Sequence, residues 1–216
     1  MGNMNQIVEN VRKEIDSCEF LLIGLGNEWE QAGTADAAAA KEAYEALAGL
    51  AEGKNYFIVT TAKDAGIFKS PLSAERITAP CGNVTWLQCP DACTKDIWEL
   101  GEAADGLCPH CGRKLVANTI ACDNYIEEGY LPQWKAYQRW LAGTLNKSLL
   151  ILELGVDFQT PTVIRWPFEK AAFFNQKAHM YRVNKTFYQI SEELKGRAVP
   201  VEANSLEFVC NLTVNR

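Results

Sequence analysis

The chain has 216 residues, 48% hydrophobic and 22% charged, a size and balance that fit one globular core plus an inserted module. Its 21 basic residues against 27 acidic ones leave a net charge of −6, which speaks against a nucleic-acid binder built on a broad basic face. No run of about 18 apolar residues occurs, and Glu9, Lys13, Glu14 and Asp16 interrupt the N-terminal stretch, so neither a membrane span nor an export signal is expected.

In chain order, Ile7 to Ile15 has helical spacing and predicts an amphipathic helix. Phe20-Leu-Leu-Ile-Gly-Leu-Gly26 is a continuous apolar run ending in glycine, the pattern of a strand buried on both faces. Thr34 is placed to cap an Ala-rich helix from Ala35 to Ala51, which stops before Gly53. Tyr56 to Thr60 predicts a second buried strand, and Lys95 to Ala104 a short helix within a cysteine-rich segment. Leu131 to Leu145 predicts an aromatic-rich helix with Trp134, Tyr137 and Trp140 packed inward. Ser148 to Glu153 predicts another buried strand. Beyond it come a short strand at Pro161 to Arg165, a helix at Pro167 to Asn175 and a strand at Ala178 to Val183. A helix at Thr186 to Lys195, a strand at Ala198 to Val201 and a helix at Ala203 to Leu212 complete the reading. Strands alternating with helices imply α/β architecture, a Rossmann-like parallel sheet with helices on both faces.

The alternation is interrupted between Thr85 and Cys122. Cys89-Pro-Asp-Ala-Cys93 and Cys108-Pro-His-Cys111-Gly112 are two closely spaced thiol pairs, which together can close a tetrahedral shell around one zinc ion. A closed thiolate shell leaves no open position, so such a zinc is structural. His110 is an alternative ligand, although a residue inside a knuckle more often points outward. The expected organisation is a Rossmann-like domain over residues 1–84 and 124–216 with a zinc-binding module inserted at 85–123. The remaining Cys18, Cys81, Cys122 and Cys210 suit a reducing compartment, so a cytoplasmic location is expected.

Several fragments together resemble the sirtuins, and most of all those encoded beside macrodomain proteins. Gly24-Leu-Gly26 is similar to that family's Gly-Ala-Gly element, and Thr60-Thr-Ala-Lys-Asp64 to its Thr-Gln-Asn-Ile-Asp motif. Cys81-Gly82 stands where sirtuins carry His-Gly, and Glu153-Leu-Gly-Val156 followed by Thr160-Pro161 resembles the macrodomain-linked form of the Gly-Thr-Ser motif. Asn184, ending a late strand, matches a ribose-contacting Asn. The resemblance implies structural zinc, NAD or ADP-ribose as the nucleotide cofactor, and a protein substrate or partner. It implies cofactor contacts at Gly24, Gly26, Asn27, Glu153, Gly155, Val156 and Asn184. Cys81 and Asp64 fall on its catalytic positions, and Asn118 and Asp123 match positions of the macrodomain-linked kind.

The chain departs from the family where the chemistry lies. Ala62 replaces the motif Asn and Cys81 the motif His, and a thiol with a reference pKa of about 8.5 is a poor base near neutrality. The long loop that sirtuins carry after the first strand is reduced to Asn27-Glu-Trp-Glu30 before the next helix. Glu28 and Glu30 therefore stand where a diphosphate is expected to meet backbone N–H groups, or are simply solvated first-turn acids. Each remaining candidate has two readings: Cys81 as nucleophile or small buried side chain, Asp64 as site residue or loop cap, Glu153 as ribose contact or local cap. His179, at the start of a late strand, reads as structural. Three function classes follow: an NAD-consuming ADP-ribosyltransferase or deacylase with altered catalytic residues, a silent nucleotide sensor, and a protein-interaction module.

Overall fold

A computed structural model describes residues 4–31 and 36–214. Helix α1 (Met4–Ser17) leads into strand β1 (Phe20–Leu25), a 3₁₀ turn at Asn27–Trp29, helix α2 (Ala37–Ala51) and strand β2 (Tyr56–Thr60). The expected cap Thr34 lies outside the described residues. Strand β3 (Ile77–Thr78) is two residues long, and strands β4 (Gly82–Gln88), β5 (Trp98–Glu99) and β6 (Val116–Thr119) follow. Helix α3 (Leu131–Ala142), strand β7 (Leu149–Leu154), helix α4 (Arg165–Phe174), strand β8 (Ala178–Asn184), strand β9 (Ala198–Glu202) and helix α5 (Ser205–Asn211) complete the chain. Asn204 caps α5 by accepting from the N–H groups of Leu206 and Glu207 at 2.9 and 3.0 Å.

Two sheets result. The larger has six strands in the order β3-β2-β1-β7-β8-β9, all parallel, and the smaller has three antiparallel strands in the order β5-β4-β6. Alternation along the central strands divides the core. Leu21, Ile23 and Leu25 of β1 pack with Leu150, Leu152 and Leu154 of β7 under α1, α2 and α5. Leu22, with Phe57, Val59 and Ile151, packs under α3 and α4. Each such side chain contributes about 1.5–3 kcal/mol by leaving water, which is why the central strands read as unbroken apolar runs. No helix among the described residues is long and apolar enough to cross a membrane.

Three expected elements differ. Pro161 to Arg165 is not a strand but a turn, with Val163 N–H donating to Thr160 O at 3.1 Å and Trp166 N–H to Pro161 O at 2.9 Å. β7 already has β1 and β8 as neighbours and leaves no ladder for it. Thr186 to Lys195 is not a helix: only Glu192–Leu194 makes a 3₁₀ turn. Its backbone is held by side chains instead, since Arg165 donates to Phe187 O and Gln189 O, Arg182 donates to Gln189 O, and Asn184 Oδ1 accepts from Thr186 and Phe187 N–H. The stretch from Lys95 to Ala104 holds β5, with a 3₁₀ turn at Ala104–Gly106, rather than a helix.

Candidate functional site

From β1 the chain builds outward through β2 and β3, then returns to place β7 on the other side of β1. The C-terminal ends of β1 and β7 therefore flank a topological switch point, the place where open α/β sheets hold ligands. Here the two loops touch backbone to backbone. A methyl group on Gly26 would lie 2.2 Å from Gly155 O and 2.3 Å from Val156 Cα, so only glycine permits the crossing. Gly26 N–H donates to Leu154 O at 2.9 Å and Gly155, at φ +65°, donates to Val183 O at 2.8 Å. Gly24 serves a different purpose: a methyl there would meet Ile164 and Phe168 at 2.5 and 2.7 Å, so it lets α4 pack onto the sheet.

Side chains around this crevice are largely engaged with one another. Asn27 donates to Asp157 Oδ2 at 2.7 Å and accepts from Thr61 Oγ1 at 3.2 Å. Asn184 donates to Val156 O at 3.0 Å while its Oδ1 fixes the following turn, so it shapes the crevice wall. The Val156 side chain is buried in the α3/α4 core. Asp64 accepts from Gly66 N–H and Gln31 N–H, both at 2.9 Å, and clamps the loops after β2 and β1. Glu30 pairs with Lys63 at 2.9 Å. Glu28 accepts from the backbone N–H groups of Lys185 and Ser205.

The two substituted positions are both buried. Ala62 packs in the core under α2. Cys81 is 2% exposed, with Sγ 3.9 Å from Thr160 Oγ1, and burial pushes its thiol up from the ordinary value while Thr160 opposes that only in part. The chain's two histidines lie elsewhere: His110 sits in the smaller-sheet module beside Asp96 at 3.0 Å, and His179 bonds Glu14 at 2.6 Å at the opposite end of β8 from Asn184.

Glu153 is engaged with arginines of β8 and α4. It is 1% exposed and meets Arg182 through two hydrogen bonds of 2.6 and 2.9 Å, with Arg165 at 3.5 Å. Arg182 also reaches Glu169 of α4 at 2.8 Å. Burial pushes the Glu153 carboxyl up and the guanidiniums oppose that shift. Arg165 and Arg182 belong to none of the motifs in the sequence. The signal for Arg182 was a lone charge within the apolar run of β8, which a buried strand tolerates only when paired.

The smaller sheet carries the four cysteines. It is joined to the crevice at Cys81–Gly82, where Gly82 adopts φ +72° and a methyl would lie 2.0 Å from Asn118 O. Val84 N–H donating to Lys63 O at 2.9 Å ties β4 to the loop after β2. Asn118 is fully buried and donates to Gln88 Oε1 and Ile126 O, so it braces the module, whereas Asp123 is exposed. The sulfurs of Cys89, Cys93, Cys108 and Cys111 all lie within 4.8 Å of one another, with Cys89–Cys111 at 3.5 Å and Cys93–Cys108 at 3.6 Å. Zinc–sulfur bonds of about 2.3 Å in a tetrahedron require sulfur separations near 3.8 Å, so the set fits a zinc ion and is far from disulfide distance. Gly112 at φ +72° closes the second knuckle by donating to Cys108 O at 2.8 Å. His110 points away to Asp96.

No protein-family model matches the chain. It is 22% identical over 176 residues to a protein named protein ADP-ribosyltransferase from Staphylococcus aureus strain Mu50, covering 73% of this chain and 56% of that protein. It is 30% identical over 142 residues to a probable bifunctional ADP-ribose hydrolase/ADP-ribosyltransferase of Fusarium oxysporum f. sp. cubense, covering 54% of this chain and 23% of that protein. The chain thus spans about half the length of the first relative and about a quarter of the second. Among solved structures it is similar to Sir2Tm bound to a propionylated peptide, with a TM-score of 0.60, 13% identity and coverage of 94% and 95% of the two chains. A Sir2 homologue–NAD complex gives 0.60 at 13% identity with 94% and 91% covered, and an ADP-ribose complex of a mutant Sir2 homologue gives 0.58 at 13% identity with 94% of each chain covered. A six-stranded parallel sheet, a four-cysteine module on a separate small sheet and these likenesses agree: the chain has the sirtuin fold.

Proposed function

We propose that the chain is a divergent sirtuin that takes NAD or ADP-ribose in the crevice between β1 and β7. The carrying observation is the close backbone packing of Gly26 against Gly155 and Val156, a glycine-built loop crossing at the switch point where open α/β sheets hold ligands. The buried Ser205 hydroxyl, which has no hydrogen-bond partner and lies against Gly155, adds a polar group suited to a ligand atom. The NAD and ADP-ribose complexes among structures of this fold, and the ADP-ribosyltransferase names of the sequence relatives, support the same reading.

NAD supplies a ribose carbon whose bond to nicotinamide can be broken in favour of an acceptor. This chain contributes crevice walls through Asn27, Asp157 and Asn184, and no histidine base. A thiol pushed up by burial at Cys81 and a methyl at Ala62 are poorly suited to the deacylation the resemblance assigns to His and Asn. Turnover, where it occurs, is ADP-ribosyl transfer to a protein side chain or NAD cleavage. A second reading, an interaction module that has lost the nucleotide, is favoured by the carboxylate of Glu28 lying in the crevice.

The test is nicotinamide release by the wild type and by the Ala62→Asn, Cys81→His double variant. Restoring both groups is expected to raise release at least about 100-fold, the low end of what one essential catalytic group contributes. No gain in a folded double variant that still binds NAD would locate the loss in the shortened loop after β1 instead.

A further inference from the structure

Glu28 lies two residues after the crossing glycine Gly26, in the 3₁₀ turn Asn27–Trp29. The next residue, Trp29, is fully buried with its ring centroid 4.9 Å from that of Tyr44. From this pinned turn the Glu28 side chain runs across Gly155: a methyl there would lie 2.5 Å from Glu28 Cβ, 3.0 Å from Cγ and 2.7 Å from Ser205 Oγ. Its carboxylate then accepts from Lys185 N–H at 3.1 Å through Oε1 and from Ser205 N–H at 2.9 Å through Oε2. One side chain on the β1 loop therefore bridges the end of β8 and the segment after β9, over the loop that follows β7. The donors it takes are main-chain N–H groups that follow β8 and β9, brought to one carboxylate beside the β1/β7 crossing. Hydrogen bonds to an ionised acceptor are about twice as strong as neutral ones. Ser205 Oγ, fully buried beside them, is left without a partner.

Resting on the nucleotide reading above, we infer that Glu28 is a built-in occupant of the crevice, holding with its own carboxylate the backbone donors that a nucleotide diphosphate would take. A diphosphate entering here meets occupied N–H groups and a like charge, and it gains them only when Glu28 swings out by side-chain rotation. Glu28 thus sets the affinity for anionic nucleotides, and Glu30, paired with Lys63, does not share the role.

Amide hydrogen exchange at Lys185 and Ser205, and titrations with NAD, ADP-ribose and adenosine, test this on the zinc-loaded wild type, Glu28→Ala and the isosteric Glu28→Gln. Glu28→Ala is expected to speed exchange at both amides at least tenfold and to tighten NAD and ADP-ribose binding at least tenfold, with adenosine, which lacks a diphosphate, changed less than threefold. Glu28→Gln is expected to fall between the two, which keeps the test open if the alanine variant folds poorly. Unchanged exchange would overturn the contact itself. Released amides with unchanged or weaker NAD binding would overturn the gating role while leaving the nucleotide reading in place, and an equal gain for adenosine would overturn the competition with diphosphate. Released amides with no nucleotide bound by any form would overturn the nucleotide reading together with the gate.

Discussion

The four-cysteine module and the crevice are joined at Cys81–Gly82, and they differ in how much of the expected chemistry each carries. In the module every group that a structural zinc needs is present, at separations a tetrahedral thiolate shell requires. In the crevice the backbone crossing is kept while the side chains that the sirtuin resemblance assigns to chemistry are replaced by Ala62 and a buried Cys81. The contrast teaches that a complete metal shell and a crevice without a histidine base can stand in one fold. A metal shell supports local folding and fails as a whole when one ligand is lost, whereas a crevice can change its side chains without unfolding the sheet around it.

The sharpest way to break this comparison is to remove the metal. The protein is expected to hold one zinc per chain, and Cys108→Ser or strong chelation should disorder the small sheet, because structural zinc sites supply on the order of 10 kcal/mol of folding free energy. Metal analysis and the loss of chemical-shift dispersion for β4, β5 and β6 would check this. Full retention of those signals without metal would place the module with self-sufficient sheets.

A smaller effect is expected at the buried network beside the crevice. Arg182→Met leaves the Glu153 carboxylate in the core with Arg165 at 3.5 Å, and breaking such a pair costs about 3–5 kcal/mol. Urea unfolding should show that loss, and a Glu153→Leu, Arg182→Met double variant should recover most of it. Equal losses in the single and double variants would mean that the contacts of Arg182 with Gln189 O and Glu169, rather than the pairing, are what matter.

The smallest effect belongs to the far end of β8, away from both regions. Glu14 accepts from His179 and Tyr181 at 2.6 and 2.7 Å. Burial alone would raise its carboxyl, but the two hydrogen bonds and the His179 charge together hold it below the reference value of 4.5. A depressed folded-state pKa gives stability that is fully present above the unfolded value and is lost as pH falls through the folded one. The stability difference between wild type and Glu14→Gln should therefore shrink as pH falls below about 4.5, measured by urea midpoints across that range. A difference that grows on acidification would contradict the assignment.

Much of the fold was legible because its central strands are buried on both faces. β1, β2, β7 and β8 appear as apolar runs, and the cysteine spacing is local enough to be read directly. β3 escaped notice because two residues carry no period, and β4 and β6 because polar Asn83, Thr85, Asn118 and Thr119 break their alternation. The segment after Asn184 has helix-compatible residues, yet arginines from β8 and α4 take its carbonyls, a fact that only the register of distant strands reveals. The crevice was located from its glycines, but Glu28 reaches N–H groups 157 and 177 residues away, so its occupancy could be suspected from charge and not seen. Glu153 reads from sequence as a ribose contact or a local cap, and its pairing with Arg182 opposite it in the register is visible only in the sheet.

The central claim is that this sirtuin fold keeps its nucleotide crevice while its catalytic side chains have changed. Isothermal titration of NAD into the zinc-loaded wild type, with Glu28→Ala titrated alongside, tests it most directly. Saturable heat from the wild type that strengthens in the variant is the predicted result. Flat titrations for both proteins at two temperatures would contradict it and leave the interaction module as the function of the fold.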